Sequence, residues 1–234
     1  MIRLVTDPSE LNKLPQKGVE AQKIRALLNA YGTSYDFCRF FIQNEDTYIS
    51  ALDMDFVLCE GENFVPEELI NFSAMNGMKQ LFCSEQAFTL IKPYINSKAH
   101  KINLMRFCGQ GKFCETDSQP ALSEVYTVLK DSFDIEFEPW YLDMSHRIRH
   151  EVSACRKLND SVLVIQHNIN NEALLSQIAT KTESRGQGIA TKLILAVCHE
   201  LSDSDIYLLC DDDLVSFYNN ACFELVDKKY IITF

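Results

Sequence analysis

Residues 183–201 read ESRGQGIATKLILAVCHEL, two glycines and an arginine set directly before an apolar stretch. The strand-like segment NEALLSQIATK (171–181) runs into this loop, and from Ile189 onward apolar residues recur three and four positions apart, which predicts a helix. The first turn of a helix leaves its N–H groups unpaired and pointing outward, so the loop is a ready anion site. Glycines at 186 and 188 let the backbone approach a ligand and adopt dihedrals that a side chain forbids, while Arg185 adds a fixed positive charge. A helix end contributes only about 0.3–1 kcal/mol per exposed charge, but each charge-assisted hydrogen bond adds roughly 1.5–3 kcal/mol. Three or four such donors hold a diphosphate at micromolar affinity. The local pattern alone is equally compatible with a glycine-rich turn that binds nothing. A Walker loop is excluded, since GxxxxGK[ST] is absent. So is the dinucleotide fingerprint, since GxGxxG is absent and the preceding strands read as an antiparallel meander instead of alternating strand and helix.

The chain around the loop has ordinary globular composition: 234 residues, 47% hydrophobic and 24% charged, room for one large domain or two of about a hundred residues each. Its formal charge of −11 argues against nucleic acid or an anionic membrane as partner and favours a cationic substrate. No apolar run reaches the roughly 18–20 residues of a membrane span, and MIRLVTDPSE lacks the apolar core of a signal peptide; the expectation is a cytoplasmic protein. Nine cysteines (38, 59, 83, 108, 114, 155, 198, 210, 222) stand singly in apolar stretches, with no CxxC pair, and are expected to be reduced and mostly buried. His146 and His150 are four apart on a predicted helix, but HRIRH lacks the glutamate of HExxH, so a surface or interdomain contact is expected and no metal.

The periodicities predict strands at MIRLV, at RFFIQNEDTYISAL with DMDFVLCEG, at MKQLFCS and at KINLMRFCG. Between them, VEAQKIRALLNAYG, VPEELINFSAMNG and EQAFTLIKPYI predict helices, the first two ended by glycine and the last by Pro93. GQGKFCETDSQPA (109–121) is the most loop-like segment and marks the expected domain boundary, giving domains 1–110 and 111–234. Beyond it, SEVYTVLKDSF and EPWYLDMSHRIRHE read as helices. VSACRKLND, SVLVIQHNI and NEALLSQIATK read as three strands; then come the loop and its helix, DIYLLC as a strand, DLVSFYNN as a helix and FELVDKKYIITF as a strand. The two halves share this order of elements, a hint of internal duplication.

Arg185-Gly186-Gln187-Gly188-Ile189-Ala190 resembles the R/Q-x-x-G-x-G/A signature with which the GNAT superfamily of N-acetyltransferases cradles the pyrophosphate of acetyl-CoA. The context agrees: a strand before, a helix after, then DIYLLC and DDDLVSFYNNACFEL. This last stretch is similar to the family's closing N-x-x-A-x-x-x-Y-x-x-x-G-F with Tyr218 and Phe223 in register. Asp211 stands where asparagine is usual, and Cys222 replaces the glycine before Phe223. The resemblance covers residues 120–234 and, in outline, 1–110, where the corresponding loop EGENFVPEEL lacks the glycine spacing and adds negative charge. It implies an α+β GNAT fold, a mixed central sheet flanked by helices in two pseudo-tandem domains. The first would be degenerate, repelling the cofactor by its charge and supporting or shaping an acceptor pocket.

For the second domain the resemblance implies that Ile178, Ala179 and Thr180 pair with the pantetheine arm of acetyl-CoA. Gln187, Gly188, Ala190 and Thr191 offer N–H groups or a hydroxyl to the phosphates, with Arg185, Gly186, Ile189 and Asp211 also on the cofactor side. A backbone N–H polarises the acetyl carbonyl. An alkylamine near pKa 10.4 must lose a proton at a cost of roughly 4–5 kcal/mol at pH 7, and Glu172, 13 positions before Arg185, is the candidate base acting through water. Tyr218 is the candidate acid for the leaving thiolate. Each has a plainer reading: Glu172 as a solvated turn carboxylate, Tyr218 as a core tyrosine, Arg185 as a solvated charge. Asp143, His146 and Arg147 lie on the helix that in relatives walls the acceptor side. The implied reaction is acetyl transfer from acetyl-CoA to a primary amine of a small molecule or peptide by direct attack, without a metal, in a monomer or homodimer. No histidine is placed to activate a cysteine for an acyl-enzyme route. The alternatives are a non-catalytic acyl-CoA-binding or regulatory protein, and a scaffold whose halves bind no cofactor.

Overall fold

The computed structural model describes residues 1–234. They form two compact units, Met1–Asn103 with Asp227–Phe234, and Leu104–Val226. In chain order the elements of the first half are β1 (Ile2–Leu4), α1 (Val19–Tyr31), β2 (Cys38–Gln43), β3 (Thr47–Leu52), β4 (Asp55–Cys59), α2 (Pro66–Asn76), β5 (Gln80–Ser84), α3 (Glu85–Ile91) and β6 (Lys98–Phe107). Those of the second half are α4 (Leu122–Leu129), α5 (Phe137–Arg149), β7 (Ala154–Leu158), β8 (Ser161–Ile169), β9 (Glu172–Thr180), α6 (Ile189–Glu200), β10 (Asp205–Cys210), α7 (Val215–Asn220) and β11 (Phe223–Thr233).

In the first unit the strand order is β1-β2-β3-β4-β5-β11. The strands β1 to β4 pair antiparallel, β4 and β5 pair parallel, and the last residues of β11 pair antiparallel with β5 from Lys229↔Ser84 to Thr233↔Gln80. Pro66 opens α2, where a missing N–H costs nothing, and Gly77 ends it in the left-handed conformation at φ 64°. Apolar side chains from α1, such as Ile24 and Leu27, are buried, and Ile49, Leu58, Leu69, Leu81 and Ile91 form a fully buried core with Ile232 of β11.

In the second unit the order is β6-β10-β9-β8-β7. Antiparallel pairing links β7, β8 and β9, and β9 pairs parallel with β10. One face packs Leu163, Leu175, Leu193, Val197 and Phe223 with α6, and the other packs Val162, Val164 and Ala179 against Val125, Leu129 and Trp140 of α4 and α5. Apolar residues therefore line both faces of β8 and β9, which is why SVLVI reads as a continuous apolar run.

Each half of the chain thus repeats three antiparallel strands, a helix, a strand parallel to the third, a helix and a closing strand. The closing strands are exchanged: β11 stands beside β5, and β6 stands beside β10. The two compact units divide inside β6, between Asn103 and Leu104, whereas the loop composition points to 110/111, and Asp227–Phe234 return to the first unit. Loop composition marks exposed turns, whereas the pairing of β11 with β5 joins residues far apart in sequence and leaves no local trace. The segment 109–121 is a strap within the second unit. Lys112 N–H donates to Leu195 O at 2.9 Å, and a Cβ on Gly111 would overlap the backbone of His199.

All nine cysteines are free thiols, and six of them, Cys38, Cys59, Cys83, Cys155, Cys198 and Cys210, are buried. No helix is long and apolar enough to cross a membrane. Because Ile232 is fully buried in the first unit, Ile232→Ala is expected to cost roughly 2–5 kcal/mol although it lies near the end of the sequence. Urea unfolding followed by circular dichroism measures this, and an unchanged midpoint would refute the assignment of β11 to that core.

Candidate functional site

Parallel pairing of β9 with β10 runs from Glu172↔Asp205 to Leu175↔Leu208 and stops. On its other edge β9 keeps its partner β8, through Ser176↔Val164, Ala179↔Val162 and Thr180↔Ser161. The stretch of β9 past Leu175 is therefore paired on one side only. Between Ser176 and Ala179 it holds one residue more than β8, and Gln177 adopts φ 45° there. An extra residue bends a strand and increases its twist. The result is a cleft of about 860 Å³ in the second unit, lined on one side by Ile178, Ala179 and Thr180 and on another by Leu214, Phe217 and Tyr218.

The end of the cleft is closed by the loop 181–188 and the first turn of α6. Gly186 and Gly188 have φ of 76° and 73°, with open space where a Cβ would lie, so glycine is required here by conformation and not by crowding. The first intrahelical bond is Lys192 N–H to Gly188 O at 3.1 Å. The amides of Ile189, Ala190 and Thr191 precede it, no side chain caps them, and no acidic residue stands in this first turn. Their partial positive charge is not offset by any carboxylate of the helix's own first turn. The root of the loop is pinned by Asp160 of the β7–β8 turn, which accepts from Ser184 Oγ at 2.8 Å and pairs with Lys181 at 3.1 Å. Those hydrogen bonds, Ser184 first, hold the Asp160 carboxyl below its ordinary range. Arg185 donates from Nε to Thr180 O at 3.1 Å and from Nη2 to Ser132 Oγ at 3.0 Å. Its charge is thus fixed at the cleft.

The first unit repeats this geometry with the opposite outcome. Parallel pairing of β4 with β5 stops at Val57↔Phe82. Past that point the Ser84 hydroxyl donates to the Glu60 carboxylate, bridging the strand ends. Asp46, in the turn equivalent to that of Asp160, accepts from the Asn63 N–H at 3.0 Å and leaves no room for a Cβ on Gly61. Gln43 accepts from the Val65 N–H at 2.9 Å, and Thr47 Oγ1 accepts from the Gly61 N–H at 2.9 Å. Glu67 and Glu68 occupy the first turn of α2. The loop amides of this half are therefore consumed internally, a reason beyond the charge repulsion expected from EGENFVPEEL.

Of the residues singled out in the sequence, Ile178, Ala179, Thr180, Arg185, Gly186, Gly188, Ile189, Ala190, Thr191 and Tyr218 all line the cleft. Gln187 is exposed between the two lining glycines. Asp211 is exposed where β10 ends and lies outside the lining, whereas Asp213 belongs to it. Glu172 is not brought to the cleft. It is 3% exposed and paired with Ile169 and Asp205, and at about 3.3 Å per residue an extended β9 separates it from Thr180 by about 26 Å. Asp143 pairs with Arg147 at 2.8 Å on α5, and the rings of His146 and of His150, which caps the end of that helix, lie 4.4 Å apart. Sequence reasoning missed Asp131, Ser132 and Phe217, which come from the α4–α5 connection and α7. It also missed Gln177, whose only trace is the polar pair Ser176-Gln177 inside an apolar strand.

Tyr218 is 7% exposed, and burial, helped by Cys210, pushes its phenol up to about 12. Burial likewise pushes Cys155 and Cys198 up to about 12 and, with the adjacent Asp211, Asp213 and Asp212, Cys210 to about 11. These thiols stay protonated at neutral pH. Cys222 keeps the turn at φ 66°, the left-handed conformation that explains why glycine is usual there.

The raised phenol pKa has a definite sign for stability. The neutral Tyr218 is favoured by the fold, so its contribution is fully present below about pH 10 and is lost as pH rises towards about 12. Tyr218→Phe is expected to lose less stability than the parent between about pH 9 and 11. Urea midpoints at both pH values check this; parallel losses in the two proteins would contradict it.

No protein-family model matches the chain, and no curated protein matches it. Solved structures do. A GCN5-related N-acetyltransferase from Kribbella flavida superposes with a TM-score of 0.64 at 11% identity, over 92% of this chain and 93% of that one. A GCN5-related N-acetyltransferase from Sphaerobacter thermophilus gives 0.62 at 13% identity, over 99% and 94%. A tandem GNAT protein from the clavulanic acid biosynthesis pathway gives 0.60 at 8% identity, over 100% and 98%. With the exchanged repeat and the parted strands of both units already described, these matches establish that the chain has the GNAT fold, built twice in tandem.

Proposed function

We propose that the second unit is an acetyl-CoA-dependent N-acetyltransferase that moves an acetyl group to a primary amine. The observation that carries this reading is the open notch where β9 leaves β10, ended by the uncapped amides of α6. The names of the solved neighbours, N-acetyltransferases, support it. The residues that line the cleft suit such a co-substrate. The amides at 189–191, with Arg185, match a pyrophosphate, and the one-sided edge of Ile178–Thr180 matches the amide groups of a pantetheine arm.

In this reading the amine nitrogen attacks the thioester carbonyl carbon, the C–S bond breaks, and CoA leaves as thiolate. Tyr218, neutral before and after the step, gives the thiolate its proton and regains one from the nitrogen, which sheds its second proton as the amide forms. The ammonium must lose its proton before attack; Glu172 has no part in that step, because it lies at the far end of β9, and water in the open cleft carries the proton away. The protonated, buried thiols argue against an acyl-enzyme. An acidic chain of net charge −11 favours a cationic amine, of a small molecule or a peptide, as acceptor.

Calorimetric titration with acetyl-CoA is expected to give one site per chain, because the loop amides of the first unit are already bonded. Gly188→Asp places a side chain at φ 73° and a negative charge at the helix start, and is expected to weaken binding by at least about a hundredfold. Tyr218→Phe is expected to keep that affinity and to lower turnover across a panel of amines, read as CoA release, by about a hundredfold. A non-catalytic acyl-CoA-binding protein would show the binding and no amine-dependent release. Absence of any heat with acetyl-CoA would refute the proposal.

A further inference from the structure

Nine residues other than glycine have positive φ: Asn44, Glu45, Asp53, Glu151, Asn159, Asn170, Asn171, Gln177 and Cys222. All but Gln177 lie in turns between elements; Gln177, at φ 45°, lies inside β9. Such a conformation inside a strand persists only where its surroundings impose it. One side-chain contact reaches Gln177 from another element. Trp140, the chain's single tryptophan, is 8% exposed on α5 and donates from Nε1 to Gln177 Oε1 at 3.0 Å. Its ring also packs beside Tyr126, with centroids 5.9 Å apart, so loss of the N–H alone leaves the packing in place. The residues that follow Gln177, Ile178 to Thr180, are those of β9 that line the cleft. A one-residue slip at Gln177 would turn each of them to the opposite face.

We propose that Trp140 is a positioning residue, which through its hydrogen bond to Gln177 holds the bulge that aims the backbone of Ile178–Thr180 into the cleft. Trp140 thereby sets affinity for the acyl-pantetheine arm of the co-substrate and leaves the diphosphate end to the loop of Arg185 and the first turn of α6. The inference rests on reading the cleft as an acyl-CoA site, and two probes separate the two claims. One is acetyl-CoA; the other is 3′-phosphoadenosine 5′-diphosphate, the same headgroup without the arm.

Calorimetry on the full chain compares the parent with Trp140→Phe, Gln177→Leu and the double variant. Each single variant is expected to bind acetyl-CoA about tenfold more weakly, the scale of one lost hydrogen bond, and to bind the headgroup within about twofold of the parent. The double variant is expected to be no weaker than either single one, since both remove the same contact. If Trp140→Phe fails to fold, Gln177→Leu carries the same comparison with the tryptophan ring intact. Unchanged affinity for acetyl-CoA, an equal loss for both probes, or additive losses in the double variant would each overturn the positioning role. A parent that binds neither probe would overturn the acyl-CoA reading, and this inference with it.

Discussion

The geometry of the site depends on one interruption of backbone hydrogen bonding, the point past Leu175 and Leu208 where β9 and β10 stop pairing. Parallel strands cannot be joined by a tight turn, so the chain must leave β9, cross over through a helix and return along β10. The helix N-terminus is therefore delivered to the same end of the sheet at which the strands part. An unsatisfied strand edge and a set of unsatisfied helix amides meet there, and Tyr218 of α7 comes from the element that follows β10. Backbone groups of this kind must be paired by water, by side chains or by a ligand.

The two halves of the chain give two answers to that requirement. Each has a carboxylate in the turn before the second strand of its meander, Asp46 in one and Asp160 in the other, and each carboxylate pins the strand-to-helix loop. In the first half the loop is shorter, residues 60–65 against 181–188. Asp46 consequently reaches an amide of the loop itself, and Gln43 and Thr47 take others. In the second half Asp160 is partnered by Lys181 and Ser184 at the root of the loop, so Gly186 to Thr191 extend beyond it with their amides outward. Loop length and the placing of one salt bridge separate a self-filled notch from an open one on the same fold.

Long periodic elements were legible in sequence because their signals are local. Pro66 and Gly77 bracket α2, Gly32 closes α1, and Gly188 opens α6 where the apolar spacing begins. The loop 181–188 and its exposed helix start were legible for the same reason: consecutive amides and glycine dihedrals are both written in neighbouring residues. Glu172 shows the limit. A spacing of 13 residues fits many separations in space, and an extended strand turns it into one of the longest. Gln177 shows another, since the hydrogen bond its side chain accepts comes from a helix residue 37 positions away.

The sequence by itself determined the kinds and order of the elements, the duplication of that order, and the residues able to present unpaired amides to an anion. Local sterics and periodicity decide these without reference to the rest of the chain. Only the tertiary structure decided which closing strand completes which unit, where β9 parts from β10, and which carboxylates fill or spare the loop amides. Those outcomes rest on pairings between residues distant in the chain, and a strand edge is equally able to accept any partner of suitable pattern until packing selects one.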